Sequence, residues 1–188
     1  MMLDATAGNR DMWKPVGYNP PHTVFLDREL KLKRPPTIFA DYRYCPFRAD
    51  VFDCVIFDPP FMSRRNPPIY WNDPTASDKY RNWKGFKITN RWWGVNISKT
   101  ELWSGIHKAQ EEFKRISKRV CLKWNEIDYS LGKVLVFFKD WKIIHKQGFK
   151  QGRTKKGTRS RSHASNDPYC KTWWVTFINS QFKENGEL

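Results

Sequence analysis

The sequence predicts an α/β protein built on a seven-stranded, mostly parallel sheet. Three observations lead to this prediction: four apolar runs near the N-terminus that each end in an aspartate, a helical repeat after residue 98, and two strand-like runs late in the chain. Strands that alternate with connecting segments are typical of a parallel sheet. With 188 residues and 39% hydrophobic composition, the chain is long enough for one domain, residues 1–188, with its own core.

The four apolar runs read MMLD, TVFLD, PTIFAD and FDCVIFD, and they end at Asp4, Asp27, Asp41 and Asp58. Near-continuous Val, Ile and Phe content is typical of strands that are covered on both faces of a parallel sheet. Ligands bind beyond the carboxyl ends of such strands, so four carboxylates there would converge on one cleft. The alternative for each aspartate is a turn or a helix N-cap.

The second half of the chain supplies the remaining elements. Residues 62–100 are rich in Trp, Pro and Asn, without helical or strand periodicity, and predict an extended insertion. Ser98 or Thr100 is a candidate N-cap for a helix that follows. The spacing of five apolar residues predicts the buried face of that helix: Leu102, Ile106, Ala109, Phe113 and Ile116. RVCLKW, WKIIHKQGF and KTWWVTFIN predict three further strands, and a short helix is expected between the first two of these.

Charge and cysteine usage narrow the classes of function. The net charge is +15 and the sequence pI is about 9.8, which favours a polyanionic partner such as nucleic acid. No apolar run approaches the ~20 residues of a membrane span, and MMLDATAGNRD does not resemble a signal peptide. Isolated cysteines and scattered histidines predict neither a disulfide framework nor a metal site, so we expect a cytoplasmic protein.

Five segments carry a resemblance to a known family: DATAGNRDMW, DYRYCPF, FDPP, LKWNE and KTWWVTF. They are similar, in this order, to segments of small phage- and prophage-encoded methyltransferases, and the likeness covers residues 3–62 and 113–179. DPPF also matches the (D/N/S)-P-P-(Y/F/W) motif of class I S-adenosylmethionine-dependent methyltransferases that methylate amino nitrogens. The resemblance implies a Rossmann-like sheet with helices on both faces and S-adenosylmethionine as the cofactor.

The resemblance also implies positions for the cofactor. The first-strand turn, from Asp4 through Ala5, Thr6 and Ala7 to Gly8, corresponds to the loop that approaches the methionine end; relatives usually have Gly-x-Gly there. Asp4 would accept hydrogen bonds from the ligand ammonium or from its own loop. Asp27 corresponds to the acid that binds the ribose hydroxyls, with a structural role as the alternative.

Asp41 and Tyr42 correspond to adenine contacts, Tyr42 with an ordinary strand-end turn as the alternative. Strand one begins at residue 2 or 3, so we expect no helix before it. The cofactor pocket is then either open or covered by the C-terminal strands, a partner chain or a second copy.

The DPPF segment predicts the catalytic residues Asp58, Pro59, Pro60 and Phe61. The Asp58 carboxylate and the Pro59 carbonyl would accept the two hydrogens of an exocyclic amine, which frees the nitrogen lone pair. Proline has a fixed φ and no N–H, so it holds that carbonyl toward the cleft. Phe61 would stack on the acceptor ring. Positioning then supplies most of the acceleration; the alternative is a DPP turn without catalysis.

Basic residues predict the contacts to nucleic acid. Residues 146–170 form a predicted basic loop, with seven basic and no acidic residues between 146 and 161. Lys123, in the KWNE segment, borders the acceptor side, with an ion pair to Glu126 as the alternative. The predicted contacts are Lys123, Lys150, Arg153, Lys155, Lys156, Arg159 and Arg161.

The sequence therefore predicts a methyltransferase for the amino group of a nucleic-acid base, with adenine or cytosine in DNA first and an RNA base as the nearest variant. A base within a duplex would have to be flipped out. The alternatives are a protein side-chain amide methyltransferase, or a non-catalytic nucleic-acid binder on a methyltransferase scaffold.

Overall fold

Seven strands form one mixed sheet in the order β3-β2-β1-β4-β5-β7-β6. The computed structural model describes residues 1–29, 31–60, 98–126, 129–150 and 171–181, with only the backbone of residues 150 and 171. The strands are β1 Met2–Asp4, β2 Thr23–Asp27, β3 Ile38–Phe39, β4 Cys54–Phe57, β5 Arg119–Asn125, β6 Trp141–Lys150 and β7 Lys171–Asn179.

The pairing of the strands confirms the predicted parallel sheet. The first five strands pair in parallel, while β7 is antiparallel to both β5 and β6. The carboxyl ends of β1, β2 and β4 therefore meet at one edge. The β6–β7 hairpin reaches the same edge, because Asn125, at the end of β5, pairs with Thr172, and Thr172 pairs with Phe149.

One long helix, α1 Lys99–Ile116, covers one face of the sheet. It begins at Ser98, whose side chain accepts from the backbone of Glu101 while the Glu101 carboxylate accepts from the backbone of Ser98. The sequence left Ser98 and Thr100 open as the N-cap, and the structure selects Ser98. Phe113 packs edge-on against Phe57, with ring centroids 4.9 Å apart.

The buried residues of α1 confirm the predicted apolar face. The five residues that the spacing predicted are all fully buried: Leu102, Ile106, Ala109, Phe113 and Ile116. They pack with alternate residues of the central strands, among them Leu3, Val55, Phe57, Val120 and Leu122. Side chains two apart on a strand point to the same face, so these residues form one continuous core. A shorter helix, α2 Leu131–Leu135, adds Leu131 and Val134.

The connections before β4 differ from the expected helices on both faces. A 3-10 helix, Asp11–Val16, joins β1 to β2 and contains Pro15. Within the described residues, neither the β2–β3 nor the β3–β4 connection forms a helix. Pro35, Pro36 and Pro46 interrupt these segments, and proline lacks the N–H that a helix requires. The 3-10 helix packs on the sheet through Trp13, which meets Phe25 of β2 edge-on at 6.5 Å.

Three predicted boundaries also change. The third strand ends at Phe39, and Asp41 lies in the turn beyond it, because its side chain bonds the backbone of Arg43. The predicted insertion, 62–100, overlaps α1 at its last residues, and 61–97 lie outside the described residues. Residues 146–150 belong to β6, since they continue the ladder with β7, so the basic loop begins after Lys150.

Candidate active site

Three of the four predicted aspartates come together at the carboxyl edge of the sheet. Asp4 and Asp27 are the last residues of β1 and β2, and Asp58 follows β4 directly. The negative charges of Asp58 and Asp27 both contribute to raising the pKa of Asp4. β1 lies between β2 and β4 in the sheet, which places Asp4 at the centre of this acidic cluster.

Asp4 is fully buried and is held by its own neighbourhood. Its Oδ1 accepts from the backbone N–H of Thr6 at 3.2 Å, and its Oδ2 accepts from Trp13 Nε1 at 2.7 Å. Burial raises the pKa of Asp4 to about 6, although both hydrogen bonds act in the opposite direction. Of the two predicted partners for this carboxylate, the structure shows its own loop. The contact with Trp13 was missed, because it depends on the fold of the 3-10 helix.

The loop after β1 is joined to its neighbours by backbone groups. The N–H of Ala5 donates to the carbonyl of Ile56, and the N–H of Ala7 donates to that of Leu26. The N–H of Gly8 donates to Asp27 Oδ2 at 2.8 Å, and the φ of Gly8 is +50°. Glycine adopts that conformation at no steric cost, so it is the favoured residue at this turn. The predicted loop and Asp27 are thus in direct contact.

The segment after Gly8 packs against the β2–β3 connection. Asn9 is 4% exposed, and its Oδ1 accepts from the N–H of Lys33 at 2.8 Å. Arg10 also has a positive φ, of 60°, and its guanidinium lies 4.0 Å above the ring of Phe25. Asn9 and Arg10 therefore support the loop through their side chains.

Asp58 is bound by a lysine from the adjacent strand. Lys123 Nζ lies 2.5 Å from Asp58 Oδ2, and the two side chains are 25% and 22% exposed. The hydroxyl of Thr6 accepts the backbone N–H of Asp58 at 2.8 Å. Asp58 Oδ1 is buried and has no hydrogen-bond partner in the described structure. Burial raises the pKa of Asp58, and the charge of Lys123 opposes that rise.

The suggested pair between Lys123 and Glu126 does not form. Glu126 Oε1 instead accepts from the N–H of Leu131 at 2.7 Å, at the start of α2. Trp124 is fully buried and belongs to the core, and its Nε1 donates to the carbonyl of Tyr129. In the KWNE segment, Lys123 therefore contacts Asp58, Trp124 belongs to the core and Glu126 binds the start of α2.

Asp41 and Tyr42, which follow β3, have other partners. The Asp41 carboxylate accepts from Arg43 Nε at 2.8 Å and from an Arg43 terminal nitrogen at 2.5 Å, and Arg28 lies 3.5 Å away. These arginines lower the pKa of Asp41 against the effect of burial. The Tyr42 ring packs edge-on to Phe57 at 5.2 Å. Tyr42 thus borders the core, while Asp41 is held in an ion pair.

An aromatic surface, formed by the partly buried Trp103, Tyr129 and Phe137, packs against the core. Trp103 stacks on Phe137 at 5.6 Å and meets Tyr129 edge-on at 4.8 Å. Phe113 packs on the last residue of β4, and Trp103 lies ten residues earlier in α1, about 15 Å further along the helix. A cavity of about 500 Å³ opens beside this surface, and Lys99 and His107 contribute to its lining.

Of the other predicted site residues, Pro59 and Pro60 follow Asp58 directly, and Pro59 is buried. Phe61 and the loop residues Arg153, Lys155, Lys156, Arg159 and Arg161 lie outside the described residues, as does the side chain of Lys150. Within the described ranges, no group of three or more His, Cys, Asp or Glu side chains could hold a metal ion. No helix in the same ranges is long and apolar enough to cross a membrane.

Comparison with known proteins gives matches in fold. No protein-family model matches the chain, and no curated protein matches it. The structure of PH0226 protein from Pyrococcus horikoshii OT3 is similar with a TM-score of 0.50 and 10% identity, over 95% of this chain and 81% of that one. The hMettl16 catalytic domain, in complex with MAT2A 3'UTR hairpin 1, has a TM-score of 0.51 and 12% identity, over 100% of this chain.

The seven-stranded sheet and the matches to these structures together identify the fold. The chain has the fold of the class I methyltransferases. It spans 65% of the length of the hMettl16 chain, so that chain contains substantial structure without a counterpart here. Within the methyltransferase fold, the acidic cluster lies at the edge of the sheet where ligands of open parallel sheets bind.

Proposed function

We propose that this protein is an S-adenosylmethionine-dependent methyltransferase that modifies an exocyclic amino group of a nucleic-acid base. Adenine or cytosine in DNA is the first candidate acceptor, and a base in RNA is the second. The observation that carries the proposal is Asp58: it lies directly after β4, at the acidic edge of a methyltransferase fold, with one buried carboxylate oxygen unpaired. The resemblance to phage and prophage enzymes remains a prediction.

The residues at this edge fit the proposed cofactor. S-adenosylmethionine, when bound, supplies an electrophilic methyl group on a positively charged sulfur. Asp27 accepts two hydrogen bonds from the protein, and a carboxylate has about four acceptor positions, so it retains capacity for a ligand hydroxyl. Asp4 is fully buried and is proposed to act through the loop that it holds by its bonds to Thr6 and Trp13. Ala5, Ala7 and Gly8 are small enough for a ligand to approach the backbone. Asp41 and Tyr42 are proposed for the adenine side, where Asp41 would share its carboxylate with Arg43.

Asp58 and Pro59 are proposed to orient the acceptor amine. An amine conjugated to a ring is a poor nucleophile, because its lone pair is delocalised. Asp58 Oδ1 and the Pro59 carbonyl would each accept one amine hydrogen, which favours a tetrahedral nitrogen with its lone pair available. An unpaired buried acceptor costs about 1–3 kcal/mol, so a donor from the substrate would relieve that cost. Pro60 and Phe61 complete the proposed motif, with Phe61 stacking on the acceptor ring.

Charge and position support nucleic acid as the substrate. The chain carries a net charge of +15, and the basic segment between β6 and β7 leaves the sheet at the same edge as Asp58. Lys150, Arg153, Lys155, Lys156, Arg159 and Arg161 are proposed to bind phosphates. The aromatic surface offers rings on which exposed bases would stack. The neighbour in complex with a 3'UTR hairpin adds support for a nucleic-acid partner.

The test is methyl transfer from radiolabelled S-adenosylmethionine to separate pools of duplex DNA, single-stranded DNA, RNA and protein. Nucleoside digestion then identifies the labelled base. Asp58→Ala should lower transfer by about 100-fold or more while nucleic-acid binding is retained, because it removes the amine-orienting oxygens. Asp53→Ala is the matched control, since Asp53 is an exposed carboxylate immediately before the other end of β4. Full transfer by Asp58→Ala would refute the mechanism.

A non-catalytic nucleic-acid binder is the second candidate, favoured by one observation. Asp41 and Asp58 are each ion-paired within the chain itself, so neither is an entirely free ligand group. Equilibrium dialysis with S-adenosylmethionine separates the candidates. Nucleic-acid binding without cofactor binding or methyl transfer would establish this second function, whereas label in a base would exclude it.

A further inference from the structure

The side chain of Lys123 is directed at a carboxylate within the protein, whereas a phosphate-binding lysine would be directed outward. Strands β4 and β5 pair in parallel, with Phe57 opposite Leu122, so Asp58 and Lys123 are the next residues along the two chains. Side chains at matched positions of adjacent parallel strands project to the same face. The ammonium group is therefore directed at Asp58, at 2.5 Å, and the lysine side chain is only 25% exposed.

We propose that Lys123 is a positioning residue for the methyl transfer: it holds Asp58 through Oδ2, so that Oδ1 remains fixed and free to accept the acceptor amine. This inference rests on the proposed function of Asp58. It assigns Lys123 to the reaction centre instead of to the phosphate contacts among which the sequence placed it. The action is indirect, because Lys123 works through the carboxylate and need not touch the substrate.

The polar atoms of Asp58 differ in their hydrogen-bond partners. The backbone N–H is held by the Thr6 hydroxyl at 2.8 Å, and Oδ2 is held by Lys123. Oδ1 alone has no partner in the described structure. With the backbone held at its N–H and the carboxylate held at Oδ2, the residue presents its remaining carboxylate oxygen in one direction, which is what an amine-orienting group requires.

Lys123 also supplies a charge that favours the ionised form of the carboxylate. Burial raises the pKa of Asp58, and the charge and hydrogen bond of Lys123 oppose this. The negative charge of Asp58 in turn contributes to raising the pKa of Asp4, on β1. A protonated Asp58 would donate from one oxygen and would be a weaker acceptor. Lys123 is thus the positive charge that favours the ionised form of Asp58.

The test is steady-state methyl transfer by Lys123→Met, Lys123→Arg and Lys142→Met as functions of pH. Lys142→Met is the matched control, because Lys142 is exposed at the start of β6, level with the beginning of β5 at the opposite edge. Lys123→Met should lower kcat by about 100-fold with little change in KM for nucleic acid. The acid limb of the pH–rate profile of Lys123→Met should move to higher pH, because Asp58 then lacks the positive charge that lowers its pKa. Lys142→Met should retain kcat.

Lys123→Arg keeps the positive charge, so the acid limb of its pH–rate profile should not move. Its kcat should fall only about tenfold, because the geometry of the contact with Asp58 changes. If Lys123→Met does not fold, this variant decides, since a positioning role lowers kcat and leaves KM unchanged. A rise in KM for nucleic acid at constant kcat would overturn the proposal, because that is the result expected of a phosphate-binding lysine. An unchanged acid limb in a folded Lys123→Met would overturn it equally.

A readout without catalysis separates this inference from the proposed function. Carbon-13 NMR of aspartate carboxyl groups, with the Asp58 signal identified by Asp58→Asn, follows the ionisation directly. Asp58 should titrate at higher pH in Lys123→Met than in the wild type or in Lys123→Arg. Equal titration in all three proteins refutes the charge role even if the enzyme is active. A wild type that methylates nothing refutes the proposed function, and the positioning role falls with it, whatever the titration shows.

Discussion

Replacement of Asp4 by asparagine should change the pH dependence of stability in a defined direction. Asp4 is fully buried, and its pKa is raised from 3.8 to about 6, chiefly by desolvation. The folded state therefore binds a proton more tightly than the unfolded state does. Between those two pH values the unfolded chain has fewer protons, so stability falls as pH rises. Asparagine does not titrate, which removes this contribution.

The magnitude follows from the pKa of Asp4. The rise from 3.8 to about 6 corresponds to about 3 kcal/mol, at 1.36 kcal/mol per pKa unit. Most of this is lost between about pH 4 and pH 7. Over that range the free energy of unfolding of the wild type, minus that of Asp4→Asn, should fall by about 2–3 kcal/mol. Taking the difference cancels the carboxylates that the two proteins share.

The assay is urea unfolding followed by tryptophan fluorescence at several pH values. Asp53→Asn is the control, because Asp53 is exposed and its pKa is lowered by the N-terminal ammonium. A lowered pKa gives stability that is lost as pH falls. The free energy of unfolding of the wild type, minus that of Asp53→Asn, should therefore not decrease as the pH rises to about 7. A difference for Asp4 that is flat or rises with pH would refute the reasoning.

Three further substitutions test local packing and capping by the same unfolding assay. Ser98→Ala removes one side of the capping box of α1 and should cost about 1 kcal/mol; an unchanged midpoint would contradict the cap. Gly148→Ala places a Cβ 2.6 Å from the ring of Trp173 and should destabilise the β6–β7 hairpin by about 1–3 kcal/mol. Gly132→Ala, in α2 with nothing near its Cβ, should instead stabilise by up to about 1 kcal/mol. Equal effects of the two glycine substitutions would refute the packing argument.

The regular elements could be predicted from local sequence. The apolar face of α1 was predicted residue by residue, because helical spacing fixes which side chains share a face. The strands before Asp4, Asp27 and Asp58 were predicted from apolar runs, and the first two end at the predicted residue. The parallel pairing of the first strands could be predicted because long connections separate them along the chain. The short third strand was not: its end at Phe39 depends on the turn that Asp41 closes with Arg43.

Local sequence also placed the acidic residues at the strand ends, and with them the edge of the sheet where the candidate site lies. It could not decide what each acid contacts, because those partners come from distant parts of the chain. Trp13 reaches Asp4 from a 3-10 helix, and Lys123 reaches Asp58 across 65 residues through the β4–β5 register. The sequence by itself determined the sheet and the positions of its carboxylates. The tertiary structure decided their burial, their pairing and which oxygen remains unpaired, because these depend on strand order and register, not on local preference.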